Sequence, residues 1–247
     1  TKRASVSTAA HSARQSWTTG AYREYCTAAA LATLLQALLQ AGAPVDLIGM
    51  AGDFIADEMT HTEMNARLAM QLGGGAPYLV EFDRLVPPHD TSGNALERAA
   101  DLAVRICCVG ETFSVPMLAA TMKATTHPLV RSVLHRIVAD EAPHAQLGWL
   151  FLEWADDQLD DAARARLAVS ALESLVELAP DWQLAGDDRT DDPDGLTAAG
   201  HQLRDVHQLG WMASGDYLEL ARVSVWREIV DPLRRHGIKV PRDRVAA

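Results

Sequence analysis

Two strings in this chain share the pattern Asp-Glu-x-x-His: Asp57-Glu58-Met59-Thr60-His61 and Asp140-Glu141-Ala142-Pro143-His144. Residues three apart lie about 60° apart around a helix, so each Glu and its His present a carboxylate and an imidazole to one side. That is a two-toothed clamp for a divalent ion. Two such clamps facing each other need further carboxylates, because each ion takes several hard oxygen donors and a pair of ions needs bridges. Glu24 is the one acidic residue in its helical stretch, and Glu111 sits inside the apolar run Val104–Met117. An isolated carboxylate buried there without a cation would be costly. The candidate ligands are therefore Glu24, Glu58, His61, Glu111, Glu141 and His144.

Positioning six side chains requires helices, and the sequence supplies them. Apolar residues recur at helical spacing almost throughout, with no sustained period-two alternation, so the chain reads as all-α. Six helices are expected. The first covers about 19–40 and stops at Ala41-Gly42-Ala43-Pro44; the second runs from Pro44 to Gly73-Gly74-Gly75. A polar stretch through Pro87, Pro88 and Gly93 leads to a third at about 94–125, and His127-Pro128 opens a fourth that reaches about 158. A fifth at about 160–178 and a long sixth at about 196–236 follow. Residues 1–18 read as a polar N-terminal arm, and 19–247 as a single helical domain. Within it, 19–158 form a four-helix bundle of two hairpins joined by a long crossover, and 159–236 add a C-terminal helix pair. The acidic linker over 185–195 does not make a calcium loop, since counting back from Gly195 puts Thr190 and His201 at the first and last ligand positions.

Composition removes several classes of function. The formal charge is -11, from 33 acidic and 22 basic residues, with no cationic stripe, so nucleic acid is not an expected partner. No apolar run approaches the roughly 20 residues a membrane-spanning helix needs, and no membrane association is expected. Three cysteines, Cys26 and the adjacent Cys107 and Cys108, suit neither a disulfide framework nor a zinc site and fit a reducing cytoplasm.

The doubled Asp-Glu-x-x-His string, Glu24 and Glu111, and the two hairpins over 19–158 resemble the ferritin-like di-metal carboxylate superfamily. That superfamily includes ferritins, bacterial multicomponent monooxygenases, acyl-carrier-protein desaturases and arylamine N-oxygenases. The resemblance implies that Glu58 and Glu141 bridge or terminally bind two ions, His61 and His144 cap one each, and Glu24 and Glu111 complete the shell. Two iron ions are expected, with manganese or a mixed pair as alternatives. Asp57 and Asp140 resemble acceptors for a ligand histidine of the opposite helix, a role that fixes the orientation of a metal-bound imidazole. The implied activity is that of a di-iron oxidase or oxygenase using O2 to hydroxylate, N-oxygenate or desaturate a small organic substrate, served by an electron donor, as a monomer or small homo-oligomer. The alternatives are a ferroxidase or iron-handling protein, and a dimanganese catalase.

Some residues depart from that pattern or flank it. Arylamine N-oxygenases carry an extra histidine ligand four residues before the fourth-helix Glu, where this chain has Ile137; His201 and His207 are the candidates to replace it. Pro143 should kink the fourth helix at the site. Cys107, Cys108 and Ser114 share the face of Glu111 as small fillers. Thr27, Ala28, Leu31 and Ala32 thin the bundle beside Glu24, which serves either a substrate pocket or close packing.

Overall fold

A computed structural model describes residues 2–89, 91–183, 192, 194–197, 199–241 and 245, which are 78% helical with no strand among the described residues. The helices are α1 (Lys2–Ala41), α2 (Val45–Gln71), α3 (Ala95–Ala124), α4 (Pro128–Ala155), α5 (Asp161–Gln183), α6 (Leu203–Gln208) and α7 (214–235). Local chemistry sets their ends. Gly42 takes φ 67°, and the N–H groups of Gly42 and Ala43 donate to Leu39 and Leu38, which closes α1 in a Schellman motif. The Asn94 side chain caps α3 by accepting from the Glu97 N–H, and Pro128 opens α4 at a position where no N–H is required.

Four long helices close a ring: α1 packs on α2 and α3, and α4 packs on α2 and α3. This is the two-hairpin arrangement expected, with the crossover over residues 72–94. Helices α5 and α7 lie against α3, which is thereby covered on several sides. That covering explains why α3 is apolar around most of its circumference. Contrary to the expectation that no apolar run is long enough, Ala95–Ala124 could cross a membrane by length and composition; its most apolar window is mostly buried inside the fold. Two charges on α3 pair with each other, Arg105 with Asp101. Arg105 donates to both Asp101 oxygens and reaches the exposed Glu173 of α5 at 2.7 Å, while Ser170 of α5 donates to Asp101, so α5 is tied to α3 by a partly buried polar network.

Two regions differ from expectation. In place of the expected polar arm over residues 1–18, α1 begins at Lys2, and Ala9, Ala13 and Trp17 are buried. Their spacing of four makes an apolar stripe whose partner is far away in the chain: the Trp17 indole donates to the Leu209 carbonyl at 3.1 Å and its ring meets Trp211 edge-on. The long sixth helix is broken. Gly210 adopts φ 92° after α6, and a Cβ there would fall 2.6 Å from Val130 and 2.7 Å from Trp17, so only glycine permits the chain to turn at this close approach. Most of the acidic linker lies outside the described residues.

Helix α4 runs through Pro143 without interruption, with the proline on its exposed side. The irregularity falls in α3 instead, where Val104–Glu111 form a π-helical segment. Thr112 donates its hydroxyl to the Cys107 carbonyl, and Pro116, four residues further on, lacks the N–H that would bond the Thr112 carbonyl. The wide turns end at Glu111.

Candidate metal centre

Each helix of the ring delivers part of the predicted constellation to a layer midway along the bundle. On α2 that layer, Glu58 to Asn65, separates Phe54 from Leu68; on α4, Glu141 and His144 separate Leu134 from Leu147. Apolar clusters lie at either end of it, one containing Trp17, Leu68 and Leu134 and the other Leu31, Phe54 and Phe151.

All six candidate ligands meet there. Glu24, Glu58, His61 and Glu141 each place one donor atom within 4.8 Å of the others, and so do Glu58, Glu111, Glu141 and His144. Glu58 and Glu141 belong to both groups. The remaining members divide by half: Glu24 and His61 on one side, Glu111 and His144 on the other. Glu58, His61, Glu111, Glu141 and His144 are buried, and Glu24 is half-buried.

Both histidines turn Nδ1 inward and Nε2 outward. His61 Nδ1 lies 3.3 Å from Glu141 Oε1, and its Nε2 donates to Asp140 Oδ2 at 3.2 Å. His144 Nδ1 lies 2.9 Å from Glu58 Oε1 and 3.3 Å from Glu141 Oε2, and its Nε2 is 3.5 Å from Asp57 Oδ2. A carboxylate only accepts, so Nε2 of His61 carries a proton toward Asp140, and in the neutral ring this leaves the Nδ1 lone pair facing the cluster. Asp57 and Asp140 thus occupy the crossed positions expected of them, although only the Asp140 contact has hydrogen-bond geometry.

Crowding four carboxylates shapes their proton affinities. Burial and the neighbouring Glu141 push Glu24 up to about 7, and burial together with Glu141 and Glu24 pushes Glu58 up to about 11. Glu111 is raised well above the ordinary range by burial and by Glu141 and Glu58. Burial also acts to raise Glu141, but the adjoining His144, His61 and Glu111 outweigh it and hold this carboxyl below its usual value. For His61, burial favours the neutral ring, yet Glu141, Glu24 and Asp140 together raise its proton affinity.

The orphaned atoms indicate what the cluster is suited to hold. Both Glu58 oxygens, Glu141 Oε2 and Nδ1 of His61 and of His144 are buried without a hydrogen-bond partner. Each such group costs about 1–3 kcal/mol when left unpaired, and one kind of partner serves all five, a divalent cation. Carboxylate oxygen with imidazole nitrogen is a donor set for first-row divalent metals. The buried Glu and His side chains can therefore hold a metal ion, and the all-helical chain carrying them is compatible with a ferritin-like di-metal site.

Other side chains support this layer. Asn65 donates to Glu24 Oε1 at 3.3 Å and to the His61 carbonyl at 2.9 Å; its place four residues after His61 on the same face is its one sequence signal, and an uncharged amide does not stand out as a ligand. Arg136 Nε lies 2.5 Å from Asp140 Oδ2, and its Nη2 is 3.8 Å from Asp57 Oδ1. Gly148 lets α4 approach the π-helical segment, for a Cβ there would meet Cys108 Sγ at 2.6 Å and Cys107 Cβ at 2.8 Å. Both cysteines are fully buried fillers whose thiols are pushed up by burial.

His201 and His207 do not join the cluster. His201 Nε2 lies 3.4 Å from Ser12 Oγ, and the Thr126 N–H donates to the His207 carbonyl. Ala28 and Leu31 are packed in the core. A groove of about 800 Å3 runs elsewhere, along the outer side of α5, and is lined by Arg164, Leu172, Val176 and Lys239 but by none of the six ligand candidates. Compared with known proteins, the chain matches no family model, no curated protein and no solved structure.

Proposed function

We propose that this chain is a ferritin-like di-iron oxidase or oxygenase acting with O2 on a small organic substrate. The observation that carries the reading is the division of the six residues into two groups sharing Glu58 and Glu141, a donor arrangement for two adjacent ions rather than one. Glu24 and His61 would hold one ion, Glu111 and His144 the other, and Glu58 and Glu141 both. Two iron ions bound there would supply the electrons and Lewis acidity for O2 chemistry. The chain's own residues prepare the site: Asp140 fixes the tautomer of His61, the buried apolar layers exclude water, and Glu24 and Glu58 take up protons when no cation is present. Manganese fits the same donors, so metal identity is part of the test.

Iron handling, with Fe(II) itself as substrate, is the second reading, and Asp57 favours it. This carboxylate is partly exposed beside His144 and gives cations an acidic approach to the buried layer.

Anaerobic titration with Fe(II) should saturate at two ions per chain, and Glu111→Gln should lower the count to one. Admitting O2 in the presence of a panel of small amines, phenols and acyl substrates should then yield an oxidised product. Two ions per chain with formation of ferric mineral and no organic product would select the iron-handling reading; one ion, unaffected by Glu111→Gln, would reject the two-metal site.

A further inference from the structure

The two Asp-Glu-x-x-His strings are alike in sequence, but their surroundings are not. Four residues before Asp140, one helical turn away, stands Arg136; four residues before Asp57 stands Asp53. A guanidinium one turn from a carboxylate grips it, whereas a second carboxylate repels it. The geometry follows this difference. Arg136 Nε is 2.5 Å from Asp140 Oδ2, and Asp140 in turn accepts the Nε2–H of His61 at 3.2 Å. Asp57 meets Arg136 only at 3.8 Å, and His144 Nε2, 3.5 Å away from it, has no hydrogen-bond partner. The His61 half has a second anchor in Asn65, which bonds both Glu24 and the His61 carbonyl.

We propose, on the two-metal reading above, that Arg136 is a positioning residue that ranks the two metal positions, making the Glu24–His61 position the tighter and the Glu111–His144 position the weaker. The chain of contacts is continuous: Arg136 immobilises Asp140, Asp140 fixes the tautomer and plane of His61, and His61 offers Nδ1 to the ion without having to reorient. His144 reaches its ion with a free Nε2 and a ring that must settle on binding. Pairing with Arg136 also draws charge from Asp140 and so makes His61 slightly less basic, which opposes the effect. Orientation dominates, because Asp140 is at the edge of the fold, where an ungripped carboxylate would turn to water. Arg136 is itself about half exposed (53% for its side chain), so removing it opens no cavity and leaves the bundle intact.

The test uses Co(II) as the probe, titrated anaerobically into the apoprotein and followed by its visible absorption. Wild-type protein should fill in two resolved steps. Arg136→Gln should weaken the first step at least tenfold, the scale on which partners of a ligand histidine act, and leave the second within about threefold; Arg136→Lys should recover part of the loss. A readout independent of metal is the side-chain 15N spectrum of the apoprotein, in which the His61 Nε2–H signal should be sharp in wild type and exchange-broadened in Arg136→Gln, with His144 unchanged. Two wild-type steps of equal affinity overturn the ranking while leaving the two-metal reading intact, and absence of Co(II) binding overturns both. Equal weakening of both steps, tighter first-ion binding, or an unaltered His61 signal in Arg136→Gln also overturns the proposal.

Discussion

His61 of α2 donates its Nε2–H to Asp140 of α4 across 3.2 Å, so a candidate ligand of one hairpin is held by a carboxylate of the other. The reciprocal pair, His144 and Asp57, is 3.5 Å apart and lacks hydrogen-bond geometry. In each hairpin the outer nitrogen of the clamp histidine faces a carboxylate of the other hairpin.

Because of that difference, Asp140→Asn should reduce Fe(II) affinity and O2-dependent turnover at least tenfold, with helix content unchanged by circular dichroism. Asp57→Asn should have the smaller effect, since it removes a looser contact. Wild-type affinity and turnover in both variants would remove the support-residue role.

The carboxylates predict a pH dependence in the apoprotein. Glu24 is raised from 4.5 to about 7, Glu58 to about 11, and Glu111 well above its ordinary value, so the folded state holds protons that the unfolded chain has released. Stability from this source is complete below the unfolded value of 4.5 and declines as pH rises, the Glu24 part being lost through about 7. Glu141 acts with the opposite sign, but its part is already complete above 4.5 and adds no slope at neutral pH. The apoprotein Tm should fall between about pH 5 and pH 8, and saturating divalent metal should reduce the fall, because ligands bind the ion deprotonated. A thermal melt series with and without metal checks this; an apoprotein Tm that rises across the same interval would contradict it.

Gly148→Ala tests the contact between α4 and the π-helical segment. The added methyl would lie 2.6 Å from Cys108 Sγ and 2.9 Å from the Cys108 nitrogen, and backbone on that side cannot retreat cheaply. Destabilisation of about 1–3 kcal/mol is expected from overpacking, with weaker binding of the ion assigned to Glu111 and His144. Urea unfolding and metal stoichiometry measure the two effects, and a variant as stable as wild type would show that the approach is less tight than described.

The sequence by itself determined the helical class, the two hairpins and the six candidate ligands, because each rests on local physics. Glu58–His61 and Glu141–His144 are legible since three residues of helix always bring two side chains to one face. Glu24 and Glu111 are legible since a single acid in an apolar helical stretch is expensive without a partner. What only the tertiary structure decided lies between segments distant along the chain. The docking of the Ala9–Trp17 part of α1 depends on Trp17 meeting Leu209 and Trp211, and the break at Gly210 on its closeness to Val130 and Trp17. The apolar circumference of α3 makes sense only once α5 and α7 cover it. Arg136 and Asn65 are a surface cation and a neutral amide whose types announce nothing. They acquire a role only when α4 is laid against α2 and Asn65 against Glu24, because a hydrogen bond is decided within about 3 Å, a precision that periodicity in one helix does not carry to the next.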